Sequence, residues 1–149
     1  MKTIDLRSDT VTLPTPEMRR AMYEAEVGDD TMGEDPTTRR LEIIAARRMG
    51  KEDAALVASG TMGNLVCVLA HCQRGDEMSV GNTAHIFRSE VGGVSGLVRV
   101  HVHSVPDGGV LPDPGDVEGA IRGNNIHWPS TTLVCLENTH NRASGVVST

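Results

Sequence analysis

Apolar and polar residues follow two spacings along this chain, one helical and one strand-like. After Pro36, Leu41, Ile44 and Ala45 recur three to four positions apart, and the stem of Arg48 extends the same stripe. Gly50 is placed to stop that helix. Thr15-Pro16, Asp35-Pro36 and Asp113-Pro114 each put a capping side chain before a proline at a first helical position. The third of these predicts a helix to about Arg122. Short apolar runs at 54–58, 77–80, 97–103 and 132–137 have the length and β-branched content of strands. Helical stretches at 62–72, 83–91 and 114–122 separate them. The alternation predicts an α/β fold, a mostly parallel sheet with helices on both faces. The continuous apolar run Leu133-Val134-Cys135-Leu136 suits a central strand, and Val98-Val100-Val102 a strand with one polar side.

The chain has 149 residues, enough for one domain with a real core, and contains no internal repeat or low-complexity tract. Its 14 Lys and Arg against 20 Asp and Glu give a formal net charge of -6, with no basic stripe. That argues against nucleic acid or an anionic membrane as partner. An anionic cofactor is still accommodated, because backbone N–H groups at a helix start hold phosphate without basic side chains. Cys67, Cys72 and Cys135 are odd in number and lie in apolar segments, which reads as buried free thiols in a reducing compartment. The opening residues, Met1 to Arg7, hold no apolar signal core, and no apolar run nears the roughly 20 residues of a membrane span. A cytoplasmic protein is expected.

In open α/β sheets, ligands sit beyond the carboxyl ends of the strands. Three segments fall at such ends. Ser59-Gly60-Thr61-Met62-Gly63-Asn64 lies between a predicted strand and a helix, where glycine admits close approach and the helix dipole favours phosphate. It has neither the dinucleotide glycine fingerprint nor the P-loop spacing, and it also reads as a plain N-cap by Ser59 or Thr61. Asn82-Thr83-Ala84-His85-Ile86 brings an imidazole to a strand end, able to stack on a flat cofactor or exchange a proton; a solvated histidine in a first helical turn is the plainer alternative. Glu137-Asn138-Thr139-His140-Asn141 is a polar cluster directly after a buried strand, as sites and ordinary loops both are. Elsewhere, His101 and His103 share one strand face, but no carboxylate or cysteine at ligand spacing accompanies them. Cys67, His71 and Cys72 read as packing residues of an apolar helix. The carboxylates Asp29, Asp30, Glu34 and Asp35 read as a solvated loop, with cation binding as the alternative.

Taken in order, these segments resemble the threonine aldolases. Leu6-Arg7-Ser8-Asp9-Thr10-Val11-Thr12 resembles that family's opening motif, and Val27-Gly28-Asp29-Asp30 with Gly33-Glu34-Asp35-Pro36-Thr37 its next block. Ser59 to Asn64, the His85 region with Gly92-Gly93, Ile126-His127, and Leu136-Glu137-Asn138-Thr139-His140-Asn141 follow in the family's order. The likeness covers essentially the whole chain. It implies the fold-type I architecture of pyridoxal-phosphate (PLP) enzymes, with residues 1–149 forming the N-terminal part of the PLP-binding large domain. It also implies reversible cleavage of β-hydroxy-α-amino acids, L-threonine and L-allo-threonine among them, into glycine and an aldehyde. By the same resemblance Gly60 and Thr61 bind the PLP phosphate with Ser59 or Asn64 nearby, and His85 stacks on the ring and faces the substrate hydroxyl. His127 approaches that hydroxyl or the leaving aldehyde, Ser8 touches the substrate carboxylate, and Thr10 and Thr12 neighbour a cation in some members. A homo-oligomer, a dimer of dimers, is implied as well.

The chain departs from the family at Met32, where many relatives have an aromatic residue, and at the less aromatic Phe87-Arg88-Ser89. Members hold PLP as a Schiff base on a lysine in a downstream Ser-Lys pair, after a His-x-Asp-Gly-Ala-Arg strand. This chain reaches Thr149 without either, and its two lysines, Lys2 and Lys51, match neither context. The expectation is therefore a catalytically inactive fragment lacking the rest of the large domain and the small C-terminal domain. Two other readings stand beside it: a PLP enzyme of the same fold catalysing β-elimination or transamination, and a truncated, non-catalytic protein that binds phosphate or pairs with a full-length subunit.

Overall fold

The computed structural model describes residues 3–148, and Lys2 lies outside the described residues. The chain divides into two compact units between Leu56 and Val57.

The first unit holds two helices, α1 (Pro16–Glu24) and α2 (Pro36–Met49). Both begin as their sequences predict. The Thr15 hydroxyl accepts the Met18 N–H and the Asp35 carboxylate accepts that of Thr38, each ahead of a proline. Gly50 ends α2 in the left-handed region, at φ 63°, where a side chain would be strained. Two of the four carboxylates in the 28–36 loop are committed to the backbone. Asp29 caps the short turn Asp30–Met32, and Asp35 also accepts the Gly28 N–H at 3.0 Å. The Thr38 and Gly28 N–H groups hold the Asp35 carboxyl below its usual range. Residues 54–58, expected as a strand, have no ladder: the Leu56 N–H donates instead to the Glu42 side chain at 3.0 Å. A strand exists only where a neighbour satisfies its N–H and C=O groups, and among the described residues none pairs with this run.

The second unit is a three-stranded parallel sheet in the order β2-β1-β3, with β1 Glu77–Gly81, β2 His101–Val105 and β3 Thr131–Cys135. Helix α3 (Gly60–His71) packs Val68, with Cys72 just beyond it, into one core with Met78 and Val80 of β1. Val94, Val98 and Val100 of the β1–β2 connection complete that core. Residues alternate across a strand, so Glu77 and Ser79 face the other way, in register with His101 and His103. Helix α5 (Pro114–Ala120) covers this second face with β2, and Arg122 just after it reaches Glu77 at 3.5 Å. Helices on both faces of a parallel sheet are thus what the alternation predicted.

Three details differ from the sequence reading. The central strand is β1, buried at every position, whereas the apolar run at 133–136 lies at an edge of the described sheet and leaves Leu136 62% exposed. Hydrophobicity registers burial, not strand order. The strand expected at 97–103 begins only at His101. Residues Val94–Val98 form a π-helical turn and Arg99 is left-handed at φ 65°, although Val98 and Val100 are buried as their spacing suggested. The helix expected at 83–91 shrinks to α4 (His85–Arg88), because side-chain anchors described below claim the residues on either side.

Candidate active site at the carboxyl ends of the strands

The chain leaving β1 is fastened by a carboxylate from the next strand's loop. Asp107, buried after β2, accepts the Thr83 N–H at 2.7 Å, the Thr83 hydroxyl at 2.8 Å and the Gly109 N–H at 2.9 Å. Burial pushes the Asp107 carboxyl up, but these donors, with His140 nearby, hold it below its usual range. Gly81 makes this approach possible, since a Cβ there would stand 2.5 Å from Asp107 Oδ2. His140 is itself buried, with Nε2 3.4 Å from the Thr83 hydroxyl and 3.9 Å from Glu137 Oε2.

This turn presents His85. Its main-chain N–H donates to Glu137 Oε2 at 2.6 Å, and the other Glu137 oxygen accepts the Asn141 N–H at 2.7 Å. Ring atom Nδ1 lies 2.9 Å from Glu90 Oε1, and Asn64 of α3 donates to that same oxygen at 2.7 Å. The imidazole is thus anchored at backbone and ring while 44% of its side chain stays accessible. It borders a cleft of about 470 Å³ whose wall includes Asn64, Cys67, Val80, Leu136 and Glu137.

One turn before Asn64, α3 opens with its donors free. The Ser59 hydroxyl caps the helix by accepting the Met62 N–H at 3.1 Å, which makes Ser59, not Thr61, the cap. The N–H groups of Gly60 and Thr61 have no acceptor among the described residues. Apart from its chain neighbours and the backbone of α3, nothing lies within 4 Å of where a Gly60 Cβ would stand. Two free donors, a dipole and open space fit a phosphate. The Asn64–Glu90–His85 chain of hydrogen bonds ties this helix start to the imidazole.

Other residues singled out in the sequence fall elsewhere. Ser8, Thr10 and Thr12 belong to the first unit, where the Thr10 hydroxyl donates to Ser8 Oγ at 2.8 Å and that of Thr12 to the Asp9 carbonyl at 2.7 Å. His127 is exposed on the loop entering β3 at its amino end, its N–H donating to Asn125. The parallel sheet separates that end from the His85 end by roughly 16 Å at 3.3 Å per residue. His101 and His103 do have a carboxylate beside them, which the sequence reading lacked: buried Glu77 lies 3.5 and 3.6 Å away. Arg122 shares it, and among the described residues no group of three or more His, Cys, Asp or Glu is arranged to hold a metal. Of the cysteines, Cys72 is buried, Cys135 partly so, and Cys67 is exposed rather than buried. Lys51 is exposed in the first unit. Sequence reasoning missed Glu90 and Asp107. Neither sits in a recognisable local pattern, because what turns each inward is a long-range contact.

The family model of beta-eliminating lyases matches residues 5–149. The chain is 52% identical over 145 residues to an uncharacterized protein of Caenorhabditis elegans, covering 95% of this chain and 35% of that one. It is 50% identical over 150 residues to low-specificity L-threonine aldolase 1 of Arabidopsis thaliana, covering 97% of this chain and 42% of the aldolase. Against the low specificity L-threonine aldolase of Escherichia coli K12 the identity is 45% over 141 residues, covering 93% and 42%. The chain therefore spans well under half the length of these relatives. No helix among the described residues is long and apolar enough to cross a membrane.

Proposed function

The chain belongs to the beta-eliminating lyase family, and from that premise we propose that it forms the N-terminal part of the large domain of a PLP-dependent aldehyde-lyase. Its substrates are β-hydroxy-α-amino acids such as L-threonine and L-allo-threonine, cleaved to glycine and an aldehyde. The observation that carries this reading is the hydrogen-bonded line from α3 to His85: an open helix start for phosphate, joined through Asn64 and Glu90 to an accessible imidazole.

In this reading the Gly60 and Thr61 N–H groups hold the PLP phosphate, with the Ser59 and Asn64 side chains beside them. Bound PLP supplies an electron sink next to the α-carbon. His85 lies against the cofactor ring and takes the proton of the substrate's β-hydroxyl, directly or through one water. Asn64 and Cys67 line the cleft on the α3 side. Ser8 binds the substrate carboxylate. His127, beyond the amino end of β3, meets a substrate hydroxyl or leaving aldehyde at the site of a neighbouring copy in a homo-oligomer, a dimer of dimers. Thr10 and Thr12 neighbour a cation. The protein works in the cytoplasm.

The test is product analysis on the complete protein with PLP. Glycine and acetaldehyde released in equal amounts from L-threonine and L-allo-threonine support the aldolase; ammonia and a keto acid instead would mean β-elimination. His85→Asn is expected to lower turnover about a hundredfold with PLP still bound. Wild-type turnover in that variant removes His85 from the mechanism.

A further inference from the structure

Glu90 is the carboxylate on the ring of His85, and its geometry constrains where the imidazole carries its hydrogen. Oε1 sits 2.9 Å from Nδ1 and 2.7 Å from the Asn64 amide nitrogen. The oxygen that already takes the Asn64 N–H is placed to accept a hydrogen from Nδ1 as well, and in a neutral ring the lone pair then falls on Nε2. No partner occupies Nε2 among the described residues. Glu90 is only 3% exposed, on a turn whose geometry its neighbours do not favour by themselves. Val91, next in the chain, is β-branched, left-handed at φ 56° and fully exposed, so its own packing does not explain the conformation. Gly93 seats the turn against α3, since a Cβ there would come within 3.1 Å of Leu65. The result is a carboxylate turned inward to meet Asn64 and His85.

We propose that Glu90 is a positioning residue for His85: it fixes the ring and keeps the hydrogen on Nδ1, so that Nε2 is the atom that takes the substrate's proton. This rests on reading His85 as the proton-transfer group. In the step it serves, the substrate O–H bond breaks and the Nε2–H bond forms. The oxygen's electron pair closes the aldehyde carbonyl while the Cα–Cβ bond breaks, its pair staying with the glycine fragment, which is then reprotonated. The imidazolium formed is held by Glu90, as the buried carboxylate of a Ser-His-Asp triad holds its histidine.

The test reads the tautomer directly, by long-range proton–nitrogen correlation spectra of the cofactor-free, nitrogen-15-labelled complete protein at a pH where His85 is neutral. His85 is assigned by the signals lost in His85→Asn. The Nδ1–H form should exceed the Nε2–H form by about tenfold or more. Glu90→Leu, which removes the acceptor, should cut that ratio at least tenfold, and Glu90→Gln, whose amide oxygen still accepts, should restore it. A wild-type ring that is mainly Nε2–H, or a ratio unmoved in Glu90→Leu, overturns the proposal. If Glu90→Leu fails to fold, the wild-type ratio and Glu90→Gln still decide. Because no turnover is read, this result is independent of the aldolase reading, and either can fail alone.

Discussion

The carboxylate of Glu137 receives the main-chain N–H of His85 at 2.6 Å across 52 positions of sequence. Glu137 follows β3 and His85 follows β1, and parallel pairing of these two strands is what brings the residues together. With Asp107 after β2, all three strands send a carboxylate or a carboxylate-held turn to the same end of the sheet. The site is therefore coupled to the sheet's register, and its integrity can be tested through stability as well as chemistry.

Asp107→Asn should destabilise the protein by about 2 kcal/mol at pH 7, because an amide set against the Thr83 and Gly109 N–H groups leaves donors facing a donor. The pH dependence has a definite sign. The folded-state Asp107 carboxyl is held below its usual range, so its contribution is complete above the unfolded value of about 3.9 and is lost as pH falls through the lower folded value. The stability gap between wild type and variant, measured by urea unfolding, should shrink from pH 6 to pH 2.5. A gap that is constant with pH would show that Asp107 does not act through its charge.

The parallel α/β character and the three caps that precede a proline were legible because they depend on local spacing and on one side chain reaching a nearby N–H. So was the clustering of Ser59–Asn64, His85 and Glu137–Asn141, since each follows or precedes an apolar run. Strand order was not legible. The apolar run at 133–136 looks more central than Glu77-Met78-Ser79-Val80, yet β1 is the buried one, and its Glu77 is tolerated only because Arg122, Thr131 and two histidines converge on it from remote positions. Glu90 was illegible for the same reason: its burial is created by a turn seated on α3, not by any pattern around it.

Arg122→Ala tests that convergence. Removing one partner of a buried carboxylate typically costs about 3–5 kcal/mol, but the Arg122 side chain is 38% exposed and its attraction is partly screened, so about 2 kcal/mol is expected. The midpoint of chemical denaturation should drop accordingly, while the His85–Glu90 and His85–Glu137 contacts at the opposite end of the sheet are unaffected. No loss of stability would mean that the histidines and Thr131 suffice to hold Glu77.

The cysteines should react in order of environment. Burial, reinforced by Cys72 and Cys67, pushes the Cys135 thiol up to about 11, whereas Cys67 is exposed on the cleft wall. At pH 8 iodoacetamide should label Cys67 first and Cys135 at least tenfold more slowly, read by peptide mass mapping over time. Equal rates would show that the core around β3 opens readily.

Gly60→Pro tests the proposed phosphate site at the start of α3 separately from the helix itself. Position 60 is the first of α3, where a proline is tolerated because its missing N–H has no helical partner and its fixed φ suits the turn. Ser59 already has the extended backbone that a residue before proline requires, at φ -158° and ψ 159°. Apart from its chain neighbours and the backbone of α3, nothing lies within 4 Å of a Cβ at this position, so the substitution removes one donor while leaving α3 and the Ser59 cap in place. A hydrogen bond to a charged group is worth about 1.5–3 kcal/mol, so PLP should bind roughly 10- to 150-fold more weakly to the complete protein. Circular dichroism and thermal midpoint should stay near wild type, and excess PLP should restore turnover. If the variant is folded and retains PLP as tightly as the parent, the phosphate does not sit on the start of α3, and its donors must be sought elsewhere.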